Sequence, residues 1–286
     1  MKITVLTDNN VLQSKNFLGE HGLSFYIEAD EKKILFDTGY SDVFLKNALK
    51  MGINLLDLDY IVLSHGHYDH TWGLSHYLSF YTSALKQGQN IKKPTILTHP
   101  DTFNEKFDDK LGEIGCQISL EKLKKNFNIK LSKEPLWITQ NLVFLGEIPR
   151  INNFEGQESI GKVYKNNRYE DDYILEDSSV VYKAGTGLIV ITGCSHSGIC
   201  NIIERARIVC TESKINDIIG GFHLVNPPQE RVFRTADYLL KLGTNGIHPC
   251  HCTDFRSKIT LSKYTRLDAT GVGLTLEYKG IQNVNC

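Results

Sequence analysis

Ile61-Val62-Leu63-Ser64-His65-Gly66-His67-Tyr68-Asp69-His70 places four metal-ligand side chains within six residues, directly after an apolar β-branched run. Ile61 to Leu63 reads as the end of a buried strand, short and bounded by Ser and Gly. If the extended backbone persists through His67, His65 and His67 point to one side, because side chains alternate with period two. Gly66 leaves the approach between them unobstructed. Asp69 and His70 fall where the chain turns into the next helix. This spacing suits two adjacent cations, the His65–His67 pair on one and the Asp69–His70 pair on the other. Imidazole and carboxylate suit Zn, Fe, Mn or Ni. A polar loop with surface histidines is the bland alternative. Three His and an Asp at this spacing, behind a buried strand, outweigh it.

His-x-His-x-Asp-His after an apolar strand resembles the signature of the metallo-β-lactamase superfamily. The resemblance implies an α/β (α+β) fold, an αββα sandwich with a one- or two-metal site along one edge. Residues 1–286 then form a single domain, with a variable, loop-rich segment around 101–178. Further segments resemble one narrower group: Glu20-His-Gly-Leu-Ser-Phe, Leu35-Phe-Asp-Thr-Gly, Gly146-Glu-Ile-Pro-Arg, Thr192-Gly-Cys-Ser-His, Gly220-Gly-Phe-His-Leu and Pro249-Cys-His-Cys-Thr. Together they are similar to the group of the 7,8-dihydropterin-6-methyl-4-(β-D-ribofuranosyl)aminobenzene-5'-phosphate synthase.

The resemblance carries ligand roles to His65, His67, Asp69, His70, His196 and His251, around one or two divalent metal ions. It makes Asp37 and His21 supporting groups, Asp37 orienting the ligand loop by hydrogen bonds. The middle ligands depart from the common pattern. No His occurs between His99 and His196, and the strand that ends Thr-Gly-Asp in many members here ends Thr-Gly-Cys194. Cys194 then stands at the bridging-Asp position and His196 takes the missing His role. His223 is a further ligand or proton-transfer candidate. A separate reading joins Cys194, Cys250 and Cys252 in a thiolate zinc site, although Cys-x-Cys lacks the usual second knuckle.

The rest of the chain reads as alternating strands and helices. Lys2–Leu6, Gly22–Glu28 behind the Glu20-His21 pair, Lys33–Phe36 and Thr95–Thr98 are strands by alternation and β-branching, and Asp42–Met51 and Thr71–Leu85 are helices by spacing. Ser119–Lys125 reads as a short amphipathic helix or an edge strand. Ser179–Ala184 and Gly187–Gly193 form a hairpin that ends in Cys194-Ser-His196. Ile199–Cys210 and Gln229–Leu242 are helices, and Gly273–Tyr278 is a closing strand. Asn152–Asp172 is polar and glycine-containing, and reads as a long loop over the active face. Arg150, Phe154, Glu155 and Tyr169 are therefore its substrate-binding candidates.

Composition narrows the function. The 41% hydrophobic and 23% charged fractions are those of an ordinary globular chain. Lys+Arg 32 against Asp+Glu 33 advertises neither nucleic acid nor membrane binding. No signal core or membrane span is apparent, so a cytoplasmic location is expected. Seven scattered cysteines do not form a secreted disulfide framework. The expected activity is metal-dependent hydrolysis of a small-molecule phosphoester, ester or amide, with Asp69 and His223 as catalytic groups. A synthase-like condensation of a pterin diphosphate with an arylamine is the narrower form. A non-catalytic metal- or thiol-sensing protein is the alternative from another class, and a nuclease ranks lower for want of a basic groove. Oligomeric state is left open.

Overall fold

The computed structural model describes residues 1–280; Cys286 lies outside the described residues. Strands β1 (Lys2–Thr7), β2 (Ser24–Ala29), β3 (Lys32–Phe36), β4 (Tyr60–Val62), β5 (Thr95–Thr98) and β8 (Asn128–Leu131) form a first sheet with the closing β17 (Thr275–Glu277). Its order is β17-β1-β2-β3-β4-β5-β8. Pairing is antiparallel from β17 to β3 and parallel from β3 to β8. A second sheet contains β9 (Leu136–Trp137), β10 (Leu142–Phe144), β13 (Ser179–Ala184), β14 (Gly187–Thr192), β15 (Ile215–Gly221) and β16 (Gly246–Cys250). Its β14, β15 and β16 run parallel.

Period-two alternation sorts these strands' side chains into layers. Phe25, Ile27, Ile34 and Phe36 of the first sheet pack against Val180, Ile189, Ile191 and Ile219 of the second. Their alternates face outward onto helices. Tyr26, Leu35 and Ile61 meet α1 (Val43–Lys50) and α3 (Gly73–Lys86) through Phe44, Ala48, Leu74 and Tyr77. Leu188, Val190 and Ile218 meet α5 (Ile199–Cys210) and α6 (Gln229–Leu242) through Ile202, Ile203, Ala236 and Leu239. The order helix, sheet, sheet, helix is the αββα sandwich. Strands buried on both faces explain why Leu188-Ile-Val-Ile191 reads as a continuous apolar run.

The middle of the chain differs from the loop expected of it. Residues 152–172 carry β11 (Lys162–Lys165) and β12 (Arg168–Asp171), joined at Asn166-Asn167, both at positive φ. With β6 (Lys106–Asp108) and β7 (Gly112–Glu113) they make a third, four-stranded sheet. Ser119–Lys125 resolves as helix α4 (Leu120–Asn126), which leads into β8. Among the described residues no helix is long and apolar enough to cross a membrane.

Candidate metal centre

The two sheets deliver polar side chains from the carboxyl ends of parallel strands. β3 ends at Asp37, β4 leads to His65 and His67, β14 to Cys194 and His196, and β16 to His251. His67 has extended backbone and caps the single turn α2 (Tyr68–Thr71), which carries Asp69 and His70. All eight are buried.

Their ring nitrogens and sulfur converge in two overlapping groups. His65 Nε2 lies 3.2 Å from His67 Nδ1 and 3.2 Å from His196 Nε2. His70 Nε2 lies 3.2 Å from both Cys194 Sγ and His251 Nε2. Asp69 Oδ2 lies 3.1 Å from His251 Nε2 and 3.2 Å from His21 Nε2. Cys194 belongs to both groups, His65–Cys194–His196 and His70–Cys194–His251.

Hydrogen bonds behind the rings fix which nitrogen faces inward. The Asp37 carboxylate accepts the Ser64 backbone N–H and hydroxyl, at 2.7 Å each. Having spent its proton on Asp37, the Ser64 hydroxyl oxygen must accept from His65 Nδ1, at 2.8 Å. His70 Nδ1 donates to Asp37 Oδ2 at 2.7 Å, and His251 Nδ1 donates to Asn9 Oδ1 at 3.0 Å. Held this way, His65 and His70 turn bare Nε2 lone pairs into the cluster, each 3.2 Å from the Nε2 of a second imidazole. A cation among these nitrogens satisfies the lone pairs. Four nitrogens about 2.0–2.1 Å from a tetrahedral zinc ion would stand about 3.3 Å apart, so the residues fit a divalent metal. His67 Nε2 and His196 Nδ1, on the far sides of their rings, are buried without a partner.

Electrostatics match the ligand role on one side and oppose it on the other. Burial pulls the His65 and His196 imidazoles well below their ordinary range and His67 down to about 3, so these rings are neutral. Burial also acts downward on His251, but hydrogen bonding to Asp69 and the nearby Cys252 outweigh it, lifting His251 to about 9. In the metal-free protein His251 therefore holds a proton that it shares with Asp69, 3.1 Å from its Nε2.

A cleft of about 200 Å³ opens over the cluster, and His21, Tyr68, His223 and Cys252 line it beside the ligands. The His223 ring lies 4.4 Å from the His196 ring, tilted by 55°, and the His223 backbone N–H donates to Cys252 Sγ at 3.3 Å. Cys250 is buried between the sheets, apart from this cleft. Its thiol does not join Cys194 and Cys252. All six described cysteines are free.

The substrate-binding candidates lie outside the cleft lining. Arg150 donates to the Gly156, Tyr173 and Ile174 carbonyls and straps that loop together. Phe154 packs on the outer face of the second sheet, with Arg234 4.3 Å above its ring. Glu155 accepts the backbone N–H groups of Cys200 and Asn201, satisfying the start of α5. Tyr169 is half exposed on β12 and donates to Glu105. In the structure Arg150 and Glu155 bond to backbone groups, Phe154 packs under Arg234, and Tyr169 bonds to Glu105.

Sequence reasoning missed four contributors. Asp8 and Asn9 follow β1 and hold His251, Asp8 through the His251 N–H at 2.8 Å. Ser64 relays Asp37 to His65. Lys106 is fully buried behind the ligand loop, paired with Asp172 and, at 2.7 Å, with Glu176. Polar residues at the end of an apolar strand were the available signal for Asp8 and Asn9. Nothing in Lys106's neighbourhood in sequence marks it as buried.

Comparison with known proteins agrees with this fold. The family model described as the metallo-beta-lactamase superfamily matches residues 19–117. The 7,8-dihydropterin-6-methyl-4-(beta-D-ribofuranosyl)-aminobenzene-5'-phosphate synthase of Methanocaldococcus jannaschii is 32% identical, covering 90% of this chain and 89% of its own. The uncharacterized protein MJ0448 of the same organism is 33% identical over 91% of this chain and 94% of its own. The crystal structure of Tm1679, described as a metal-dependent hydrolase of the beta-lactamase superfamily, superposes with a TM-score of 0.81. It is 29% identical, covering 98% of this chain and 99% of that one. The chain belongs to the metallo-β-lactamase superfamily, and within it is similar to that synthase over nine-tenths of its length.

Proposed function

We propose that this protein is a metal-dependent enzyme acting on a small-molecule phosphoester or diphosphate. The observation that carries the reading is the pair of nitrogen–nitrogen contacts at 3.2 Å, His65–His196 and His70–His251, joined through Cys194. His65, His67 and His196 would hold one divalent ion, and Asp69, His70 and His251 a second, with Cys194 between them. When bound, such ions supply Lewis acidity and acidify water at neutral pH. Both sheets contribute ligands, so residues 1–286 act as one catalytic domain in this reading.

The remaining groups divide the proton work. Asp69 is touched by His21 at the open side of the cleft, and so can pass a proton outward through that half-exposed ring. His223 faces the cleft from the other side and is placed to protonate a leaving group. Asp37 keeps His65 and His70 in the tautomers that ligation needs. The narrower, synthase-like reading draws support from the synthase at 32% identity. There the new bond joins an arylamine nitrogen to a pterin methylene carbon, the carbon–oxygen bond breaks, diphosphate leaves, and the proton lost from nitrogen passes to solvent.

Elemental analysis of anaerobically purified protein tests the foundation. Near-stoichiometric zinc, iron, manganese or nickel is expected in the wild type, and its loss in His67→Ala and His251→Ala. Metal retained by both variants, or absent from supplemented wild type, sinks the reading. The loaded protein is then assayed against phosphoesters and pterin diphosphates.

A further inference from the structure

The cleft over the imidazoles has two chemically different walls. One is the ligand cluster, flanked by His21 and His223. The other is apolar and comes from the third sheet: Leu111 at the β6–β7 turn, Ile114 just after β7, and Ile160 just before β11. None of the three packs into the hydrophobic clusters that hold the sandwich together, although Ile114 is itself buried. Leu111 is 70% exposed, yet its turn is a built one, with Asp108 Oδ1 accepting the Lys110 and Leu111 N–H groups at 2.9 and 3.0 Å. A large aliphatic side chain held at a turn tip gains nothing from folding alone. Gains come when something apolar covers it.

Charge limits what that cover is. Among the described residues no lysine or arginine lines the cleft, and Asp108 adds a carboxylate to the apolar wall. A second phosphate would find no counter-charge there. Size limits it too. An apolar cavity of about 150 Å³ accommodates benzene, so a cleft of about 200 Å³ holds one ring together with the group that reacts.

We propose that Leu111, Ile114 and Ile160 form a subsite for an apolar group the size of one aromatic ring, carried by the substrate beside its reacting centre. The inference rests on the metal-centre reading above, because the imidazole cluster must hold the polar end of the same molecule. The third sheet thus selects the substrate while the sandwich edge holds its reacting group.

Calorimetric titration of zinc-loaded protein with phenylphosphonate and methylphosphonate tests the subsite. The two probes share the headgroup and differ only in the ring. Wild type is expected to bind phenylphosphonate at least about tenfold more tightly. Leu111→Ser, a change at an exposed turn that leaves the cores intact, is expected to cut that preference by about threefold or more. It should leave methylphosphonate affinity unchanged. Equal affinity for the two probes in wild type, no binding of phenylphosphonate, or an unchanged preference in Leu111→Ser and in Ile160→Ser overturns the subsite. Zinc content is measured before either probe is added. A protein that takes up none of zinc, iron, manganese and nickel overturns the metal-centre reading and the subsite with it, whereas metal uptake with no ring preference overturns the subsite alone.

Discussion

Asp37 orders the cluster from outside it. Its two oxygens accept from Ser64 and His70, and through Ser64 they set the His65 tautomer. Replacing a group of this kind costs about 10–100-fold in metal affinity, and Asp37→Ala is expected to fall in that range by competition with a chromogenic chelator. His251 makes a sharper prediction. Burial acts downward on it, but its hydrogen bond to Asp69 and the nearby Cys252 raise it to about 9 from the ordinary 6.5. A raised imidazole stabilises the metal-free fold fully below pH 6.5, and that contribution is lost as pH rises through about 9. The same proton must leave when a cation takes its place. Titrating metal at about pH 7.5 in two buffers of different ionisation enthalpy should show proton release, with about one proton fewer in His251→Asn. Equal release from both proteins would place the titrating group elsewhere.

Among the elements, the strands that supply ligands were legible and the sheet that covers them was not. Ile61–Leu63 and Leu188–Ile191 are β-branched runs without a polar face, the mark of strands buried on both sides. β11 and β12 instead alternate lysine, tyrosine and acidic residues, which resembles a solvated loop. The missed signal was Asn166-Asn167, because two consecutive asparagines at positive φ suit a tight hairpin turn. Lys106 on β6 anchors this third sheet to the ligand loop. A Cβ added at Gly66 would lie 2.9 Å from its Cε and 2.4 Å from the Thr102 carbonyl oxygen. Lys106→Met would leave Asp172 and Glu176 buried without their cation, and breaking such a pair costs about 3–5 kcal/mol. Urea unfolding of the metal-free variant measures the loss, and adding Asp172→Asn and Glu176→Gln should restore part of it. Gly66→Ala has no such remedy, since the clash is with backbone. It should lower both stability and metal content.

Over the whole molecule, the candidate site gathers residues from positions 65–70 in the first half with 194, 196 and 251 in the second. The first cluster was readable because its ligands are contiguous. The second depended on long-range pairing, since β14, β15 and β16 stand side by side only after two helical crossovers. That separation gives metal binding a mechanical consequence. The first sheet's ligand loop and the second sheet's strand ends touch at the site, and the cation would tie them across the sandwich edge. A ligand that binds only the folded state stabilises it by mass action, about 2.7 kcal/mol at a hundredfold excess over Kd. For a chain of this size that is a rise in Tm of roughly 5 °C. Thermal unfolding with and without chelator should show this shift in wild type. It should shrink in His196→Ala as much as in His67→Ala, although the two positions lie in different sheets. A shift kept in full by His196→Ala would mean that the metal is held by the contiguous cluster alone, and the second sheet would then serve the substrate rather than the cation.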